Sequence, residues 1–259
     1  MRTWLKCDHG MKRSNNEDST LIVQYVGSEG DILSGGWLLA VADGMGGHQK
    51  GEIASSLALR ILAGYVTSNI LSRSNGGVEN YVGTLEEAFS EANKAVYEKG
   101  MKSSPGMGTT LVAALVDGFE LYVCSVGDSR CYLLADEGIS RITKDDSVVQ
   151  ELVDTGKITR KQAMSHPRRN EITNAIGIFP PEEFQVSAFH VGSILTFDYI
   201  LLSSDGLHGV LSDEEIAETV YSHDSVAVAS GTLVDLANEK GGPDNISIVL
   251  GQVLREEFG

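Results

Sequence analysis

Four aspartates of this chain stand where an apolar run gives way to glycine: Asp43 in VADGMGG, Asp128 in SVGDSR, Asp205 in SSDGLHG and Asp244 in GGPDNIS. An acidic pair, Glu17-Asp18 in NNEDS, precedes another apolar run that begins near Ser19. Taken singly, each is more readily a turn or cap residue than a ligand, since Asp-Gly is the usual chemistry of a tight turn. Taken together they suggest a metal centre. Carboxylates gathered at one spot repel one another unless cations lie between them. The donors are all oxygen, with no Cys or His at zinc spacing, so the fitting ions are Mg2+ and Mn2+. No D-x-[DN]-x-[DN]-G loop occurs, which excludes an EF-hand. The glycine-rich pieces GMGGHQKGE and GMGTTL carry neither the P-loop nor the G-x-G-x-x-G pattern, so neither is expected to cradle a nucleotide.

Other chemistries are weaker. Cys124 and Arg130 have the C-x5-R spacing of a cysteine phosphatase, but Asp128 stands where the phosphate would bind, so the match reads as accidental. Three cysteines without a C-x-x-C, and an N-terminus without an apolar signal segment, lead to the expectation of reduced thiols in a cytoplasmic protein. The formal charge of −16 argues against nucleic-acid and anionic-membrane partners, although bound cations would neutralise part of it. The longest apolar run, near Ile194 to Leu202, is broken by Asp198 and is too short to span a membrane.

The elements that must position these acids can be read from periodicity. The 259 residues, 42% hydrophobic and 22% charged, contain no Pro-rich linker, so a single domain over 1–259 is expected. GTTLVAALV and FELYVCSV flank Asp117-Gly118, a strong hairpin signal, and SRCYLLA and ISRIT follow, which reads as a meander from about Gly108 to Thr143. Further strands fit Ser19–Val26, Gly36–Ala42, Gln185–His190, Ile194–Ser203 and Asn245–Leu254. Thr84 to Glu87 and Ser212 to Glu215 both read as capping boxes opening helices. Glu52–Ser72 and Ser225–Lys240 read as longer helices, and Ser147–Thr155 with Thr159–Ser165 as a short pair ended by Gly156 and Pro167. Antiparallel strands with separate helix pairs imply sheets covered by helices.

Eight pieces now fall into one order: DHGMKRSNNEDS, VADGMGGH, GMGTTL, VGDSR, ITKDDS, HPRRNEITNAIG, LLSSDGLHG and GPDNIS. In these motifs the chain closely resembles the metal-dependent serine/threonine protein phosphatases of the type 2C family, in particular the compact bacterial members. The resemblance implies an α+β fold, a four-layer αββα sandwich of two packed antiparallel sheets flanked by helix pairs. It implies dephosphorylation of phosphoserine and phosphothreonine in proteins, opposing a serine/threonine kinase that is itself among the expected partners, by a monomeric enzyme.

The roles that the resemblance implies fall on particular residues. Asp43 bridges two core Mn2+ or Mg2+ ions, the Gly44 carbonyl binds one, and Asp205 and Asp244 complete the other. Glu17 and Asp18 act mainly through metal-bound waters, and Asn245 orients its neighbour. A third, weaker ion falls to Asp128 and Asp205. Arg13 grips the substrate phosphate, for which its planar fork is suited; without the family match it would read as a surface charge. A water activated by the ions attacks phosphorus in line, with no covalent enzyme intermediate. Met45 stands where animal relatives carry a histidine, so a water on the third ion, or His48, is the expected proton donor. Asp146 occupies a position where histidine is common, and His208 one where an aromatic often stands. Residues 147–170 correspond to a flap beside the site, where Arg168 and Arg169 could attract phosphoproteins. Two other readings stay open: a two-metal phosphodiesterase or nuclease, against which the charge weighs, and an inactive module that binds phosphoproteins.

Overall fold

A computed structural model of the chain describes residues 1–29, 32–46, 49–71, 80–103, 105–163 and 165–254. The chain opens with strands β1 (Arg2–Asp8), β2 (Ser19–Glu29), β3 (Ile32–Ala42) and β4 (Gly44–Met45), followed by helices α1 (Gln49–Leu71) and α2 (Tyr81–Ser103). Strands β5 (Gly108–Thr109), β6 (Leu111–Asp117), β7 (Glu120–Val126), β8 (Arg130–Ala135) and β9 (Gly138–Arg141) come next. Short helices α3 (Val148–Asp154) and α4 (Arg160–Ala163) precede β10 (Ala188–Ser193) and β11 (Tyr199–Ser203). Helices α5 (Asp205–His208), α6 (Asp213–Tyr221) and α7 (Val226–Glu239) lead to β12 (Ile246–Gln252).

Most central strands have no polar face, and that decides the layering. On β3, Leu38, Ala40 and Ala42 join one core, Leu39 and Val41 join another, and all five are fully buried. A strand apolar on both sides must lie between two covering layers. Among the described residues the strands form one sheet in the order β1-β12-β11-β8-β9 and another in the order β10-β7-β6-β3-β2, all pairs antiparallel. Leu39, Val112, Val123, Leu133, Leu202 and Val249 fill the space between the sheets. Ala58, Leu62, Leu85 and Phe89 of α1 and α2 cover one outer face, and Ile216, Leu233 and Val234 of α6 and α7 cover the other. The result is the expected four-layer α+β sandwich, with a small extra ribbon of β4 and β5.

Several local expectations need correction. The meander breaks after β7: β6 and β7 belong to one sheet, β8 and β9 to the other, and the chain crosses between them at Gly127 (φ +95°). Both hairpins are locally ordinary, so nothing in the strand pattern marks the crossing. Thr84 is not a helix cap. Helix α2 begins at Tyr81, Asn80 Oδ1 accepts from the Gly83 N–H at 2.9 Å, and the buried Thr84 hydroxyl donates to the Asn80 carbonyl at 3.0 Å. The helix also continues past Gly100 to Ser103, because Gly100 packs against Met107 there. Ile194–Ser203 divides into a 3-10 turn (Ile194–Thr196) and β11, and β1 pairs with β12 although its exposed Trp4 and Leu5 show no buried pattern. By length and composition Lys50–Ile70 of α1, with mean hydropathy 1.2, could cross a membrane, which uninterrupted runs did not show. Its Ala54, Ala58, Leu62 and Val66 are buried in the core shared with β3 and α2. The box at Ser212 is present as read: its hydroxyl accepts from the Glu215 N–H and the Glu215 carboxylate accepts from the Ser212 N–H.

Candidate active site

Each acid is delivered by a different break in the strands. Asp43 links β3 to β4, and its peptide is pinned on both sides. Its N–H donates to Thr110 Oγ1 at 2.9 Å, while its carbonyl accepts from the Thr110 N–H at 2.8 Å and the Thr109 hydroxyl at 2.9 Å. Gly44 follows because the backbone of Glu17 and Gly51 presses against it, and a Cβ would collide with both carbonyls. Asp128 lies in the crossing between the sheets, one residue past Gly127, where a Cβ would meet Thr110 Cγ2 at 2.7 Å. Next in line, the Ser129 hydroxyl pairs with the Thr110 hydroxyl at 2.7 Å. The turns that carry Asp43 and Asp128 are therefore bonded to one threonine.

Asp205 begins α5, directly after β11. Ser204 stands at the cap of that short helix but makes no side-chain cap bond. Its hydroxyl donates instead to Asp18 Oδ2 at 2.7 Å and accepts from the Ser247 N–H at 3.0 Å. Asn245 serves the neighbouring loop. Its Oδ1 accepts from the Glu17 N–H at 2.8 Å, and its Nδ2 donates to the carbonyls of Asn15 at 2.9 Å and His9 at 3.1 Å. One buried amide thus holds the segment that carries Arg13, Glu17 and Asp18.

The breaks meet at a cavity of about 250 Å³ lined by Arg13, Glu17, Asp43, Gly44, Asp128, Asp205, Asp244 and Asn245. Asp18 is buried behind it, tied to Ser204. His48 lies outside the described residues. Thr110, Met45 and Gly46 also line the cavity, as do Asn170, the last residue of the expected flap, and Ile172 just past it. The roles of Thr110, Ser129 and Ser204 were not legible beforehand. Each stands inside a motif, Ser129 and Ser204 directly beside an aspartate, but a hydroxyl's place in sequence says nothing about the group it will meet in space.

Electrostatics here is dominated by burial of like charges. Burial first, then the neighbouring acids, push the Asp18 carboxyl up to about 7, Asp128 to about 7 and Asp205 to about 6. Asp43, half-buried at the cavity wall and set among Asp18, Asp205 and Asp128, is raised well above the ordinary carboxylate range, by desolvation first. Among the described residues, Asp18 Oδ1 and Asp205 Oδ1 are buried without a hydrogen-bond partner, which in a protein interior calls for an explanation. Hard divalent cations supply one, since they take oxygen ligands and offset the repulsion. Among the described residues no three His, Cys, Asp or Glu groups close tightly on a single point. Mg2+ keeps much of its water and needs only one or two carboxylates. Asp43, Gly44, Asp128, Asp205 and Asp244 are the residues that could hold them.

Arg13 stands at the mouth with its side chain 54% exposed, and its Nη2 donates to Asp244 Oδ2 at 2.6 Å. That contact holds the guanidinium over the acidic floor and raises its pKa further. The other candidates are committed elsewhere. Arg130 forks onto Asp145 through Nε at 3.0 Å and Nη2 at 2.7 Å, so the C-x5-R spacing makes no phosphate loop. Burial pushes the Cys131 thiol up to about 12 and the Cys124 thiol well above its ordinary value. Burial likewise holds the His208 imidazole well below its usual pKa, and its Nδ1 lies 3.0 Å from the Ser203 hydroxyl. Arg168 is paired with Glu171 at 2.7 Å.

Comparison with known proteins bears on all of this. The protein phosphatase 2C family model matches residues 9–238. The chain is 37% identical to the serine/threonine protein phosphatase PstP of Mycobacterium tuberculosis over 268 aligned positions, covering all of this chain and 46% of that protein. It thus spans about half the length of that relative. It is 33% identical to the serine/threonine phosphatase stp of Listeria monocytogenes, covering 96% of this chain and 95% of the other. The crystal structure of the PstP catalytic domain in complex with two manganese ions superposes with a TM-score of 0.79 at 36% identity, covering 98% of each chain.

Proposed function

The chain belongs to the protein phosphatase 2C family, and on that premise we propose that it is a metal-dependent protein-serine/threonine phosphatase opposing a serine/threonine kinase. The observation that carries this reading is the cavity itself: converging buried carboxylates with orphaned oxygens under one exposed arginine. Asp43, the Gly44 carbonyl, Asp205 and Asp244 would hold two Mn2+ or Mg2+ ions, and Asp128 with Asp205 a third, weaker one. Bound there, such ions supply Lewis acidity and a water acidic enough to act as nucleophile near neutral pH. Two manganese ions in the related PstP domain support the assignment.

The chain's own groups account for the rest. Arg13 binds two phosphate oxygens and orients phosphorus for in-line attack, taking up charge as it spreads in the transition state. Thr110 is the hydroxyl side chain lining the cavity, and its bonds to Asp43 and Ser129 leave it poorly placed as a nucleophile. The Cys124 and Cys131 thiols are buried and hard to ionise. Attack by water without a covalent enzyme intermediate fits this inventory. A nuclease reading is disfavoured by the −16 charge, which repels a polynucleotide beyond the site.

The test is hydrolysis of a phosphothreonine peptide by chelator-treated protein, before and after addition of Mn2+ or Mg2+, beside single-stranded DNA. Phosphate release from the peptide alone, and only with metal, is the expected outcome. Release that survives chelation, or cleavage of DNA in preference to the peptide, contradicts the proposal.

A further inference from the structure

Asp146 is an acidic residue near the site that the expected metal and phosphate roles leave unused, and it makes three backbone-level contacts. Its Oδ2 accepts from the Gly127 N–H at 3.0 Å, its own N–H donates to the Gly127 carbonyl at 2.8 Å, and its carbonyl accepts from the Thr173 N–H at 2.8 Å. Gly127 is the hinge where the chain leaves one sheet for the other, in a conformation (φ +95°) that favours glycine. The next residue is Asp128. A peptide between two sheets has no strand partner on either side, so its orientation depends on whatever bonds it there. On the far side of Asp128, Arg130 is forked onto Asp145, the neighbour of Asp146. The two consecutive acids therefore hold the chain on both flanks of Asp128.

The same pair anchors the flap. Asp146 precedes Ser147, which caps α3 and bridges to Ile172, a residue of the cavity wall. The Val148 N–H donates to the Glu171 carbonyl at 2.9 Å. Asp145 also accepts from Arg141 at 3.1 Å, and Arg141 donates to Gln150 of α3 at 3.0 Å.

We propose that Asp146 is a positioning residue that clamps the Gly127 peptide, aims the Asp128 carboxylate into the cavity and ties it to the root of the flap. The proposal rests on the reading of Asp128 as a ligand of the weaker ion. A carboxylate whose supporting peptide can rotate loses the geometry that a cation requires.

The experiment is Mn2+ titration of the full chain, followed by the resonance of free Mn2+, with amide hydrogen exchange at Gly127 measured on the same proteins. Asp146→Ala is expected to weaken the loosest class of Mn2+ about tenfold, the effect of losing one hydrogen bond to a charged group, and to leave the tight class unchanged. Its Gly127 amide should exchange fast. Asp146→Asn retains an oxygen that accepts from Gly127 and should restore both readouts towards wild type. Asp146→Glu keeps the charge but displaces the acceptor by one methylene; should Asp146→Ala not fold, it takes that variant's place, with the same weakened loosest class and fast Gly127 exchange expected and the same wild-type result overturning the proposal. The proposal is overturned if Asp146→Ala keeps wild-type Gly127 protection and wild-type binding of the loosest ion. It is equally overturned if Asp146→Asn fails as badly as Asp146→Ala. Asp128→Ala, titrated alongside, separates the two ideas: wild-type binding of the loosest ion there removes the ligand reading of Asp128, and Gly127 exchange in the Asp146 variants then decides the clamp by itself.

Discussion

Arg13 shows how much a single residue's role depends on its partner. Its guanidinium stands at the mouth of the cavity on Asp244, a carboxylate that would also bind a cation. A phosphate arriving at the site competes for the same fork. Arg13→Ala should therefore raise KM for a phosphopeptide and lower kcat less, with kcat/KM falling about tenfold or more for the loss of a charge-assisted bond worth about 1.5–3 kcal/mol. Affinity for Mn2+ should hold or tighten, since Asp244 loses a competitor. Steady-state kinetics together with a Mn2+ titration checks both halves. Unchanged kcat/KM, or lost metal affinity, would place Arg13 among the structural ion pairs instead. Asn245 illustrates a wider reach: its N–H donates to the Asp244 carboxylate at 2.9 Å, while its side chain binds the backbone of a loop more than two hundred positions away in sequence.

At the level of elements, helices α6 and α7 stabilise the sandwich without reaching the cavity. Ser212 caps α6 in a reciprocal box with Glu215, and Glu215 in turn receives Lys240 just beyond α7 at 2.6 Å. Ser212→Ala removes one half of that box and should cost about 1 kcal/mol, seen as a melting temperature lower by about 2–4 °C. Turnover of the phosphopeptide should stay at the wild-type value. A large loss of activity at unchanged stability would show that α6 communicates with the site, contrary to this division. The breaks after β3, β7 and β11 behave differently. They place Asp43, Asp128 and Asp205, and three hydroxyls tie them to other segments of the site: Thr110, between β5 and β6, holds the Asp43 peptide, Ser129 pairs with Thr110, and Ser204 donates to Asp18.

For the molecule as a whole, the buried carboxylates set a pH dependence. A carboxyl whose folded pKa lies above its unfolded value binds more protons when folded, so its contribution to stability declines as pH rises between the two. Asp18 and Asp128 are raised from 3.8 to about 7 and Asp205 from 3.8 to about 6. Chelated protein should lose stability as pH rises from about 4 to about 7, by on the order of a few kcal/mol, and change little above that through these groups. The −16 net charge repels itself in the same direction. Added Mn2+ should raise the melting temperature more at pH 8 than at pH 5, because ionised carboxylates bind it better. Thermal melts in chelator and in Mn2+ at the two values check this. A chelated protein that becomes more stable towards pH 8 would mean that these acids are not buried together.

The sequence pattern alone determined that antiparallel sheets are covered by helices, since strands and helix pairs stand apart along the chain, and the family resemblance carried the four-layer order. It also determined the identity of the acids: hard oxygen donors beside glycine in strand-end motifs are legible from residue type and spacing. What it could not determine was set by distance in space. The hairpins β6-β7 and β8-β9 look alike locally, and only packing assigned them to different sheets across Gly127. Thr84 carried every local mark of a cap, yet the buried face of α2 extended the helix a turn beyond it. The raised carboxyls, the Arg13–Asp244 pair and the hold of Asp146 on Gly127 join positions 19 to 231 residues apart. Such contacts form only once two sheets have closed on each other, because desolvation and charge coupling depend on what surrounds a group rather than on what precedes it in the chain.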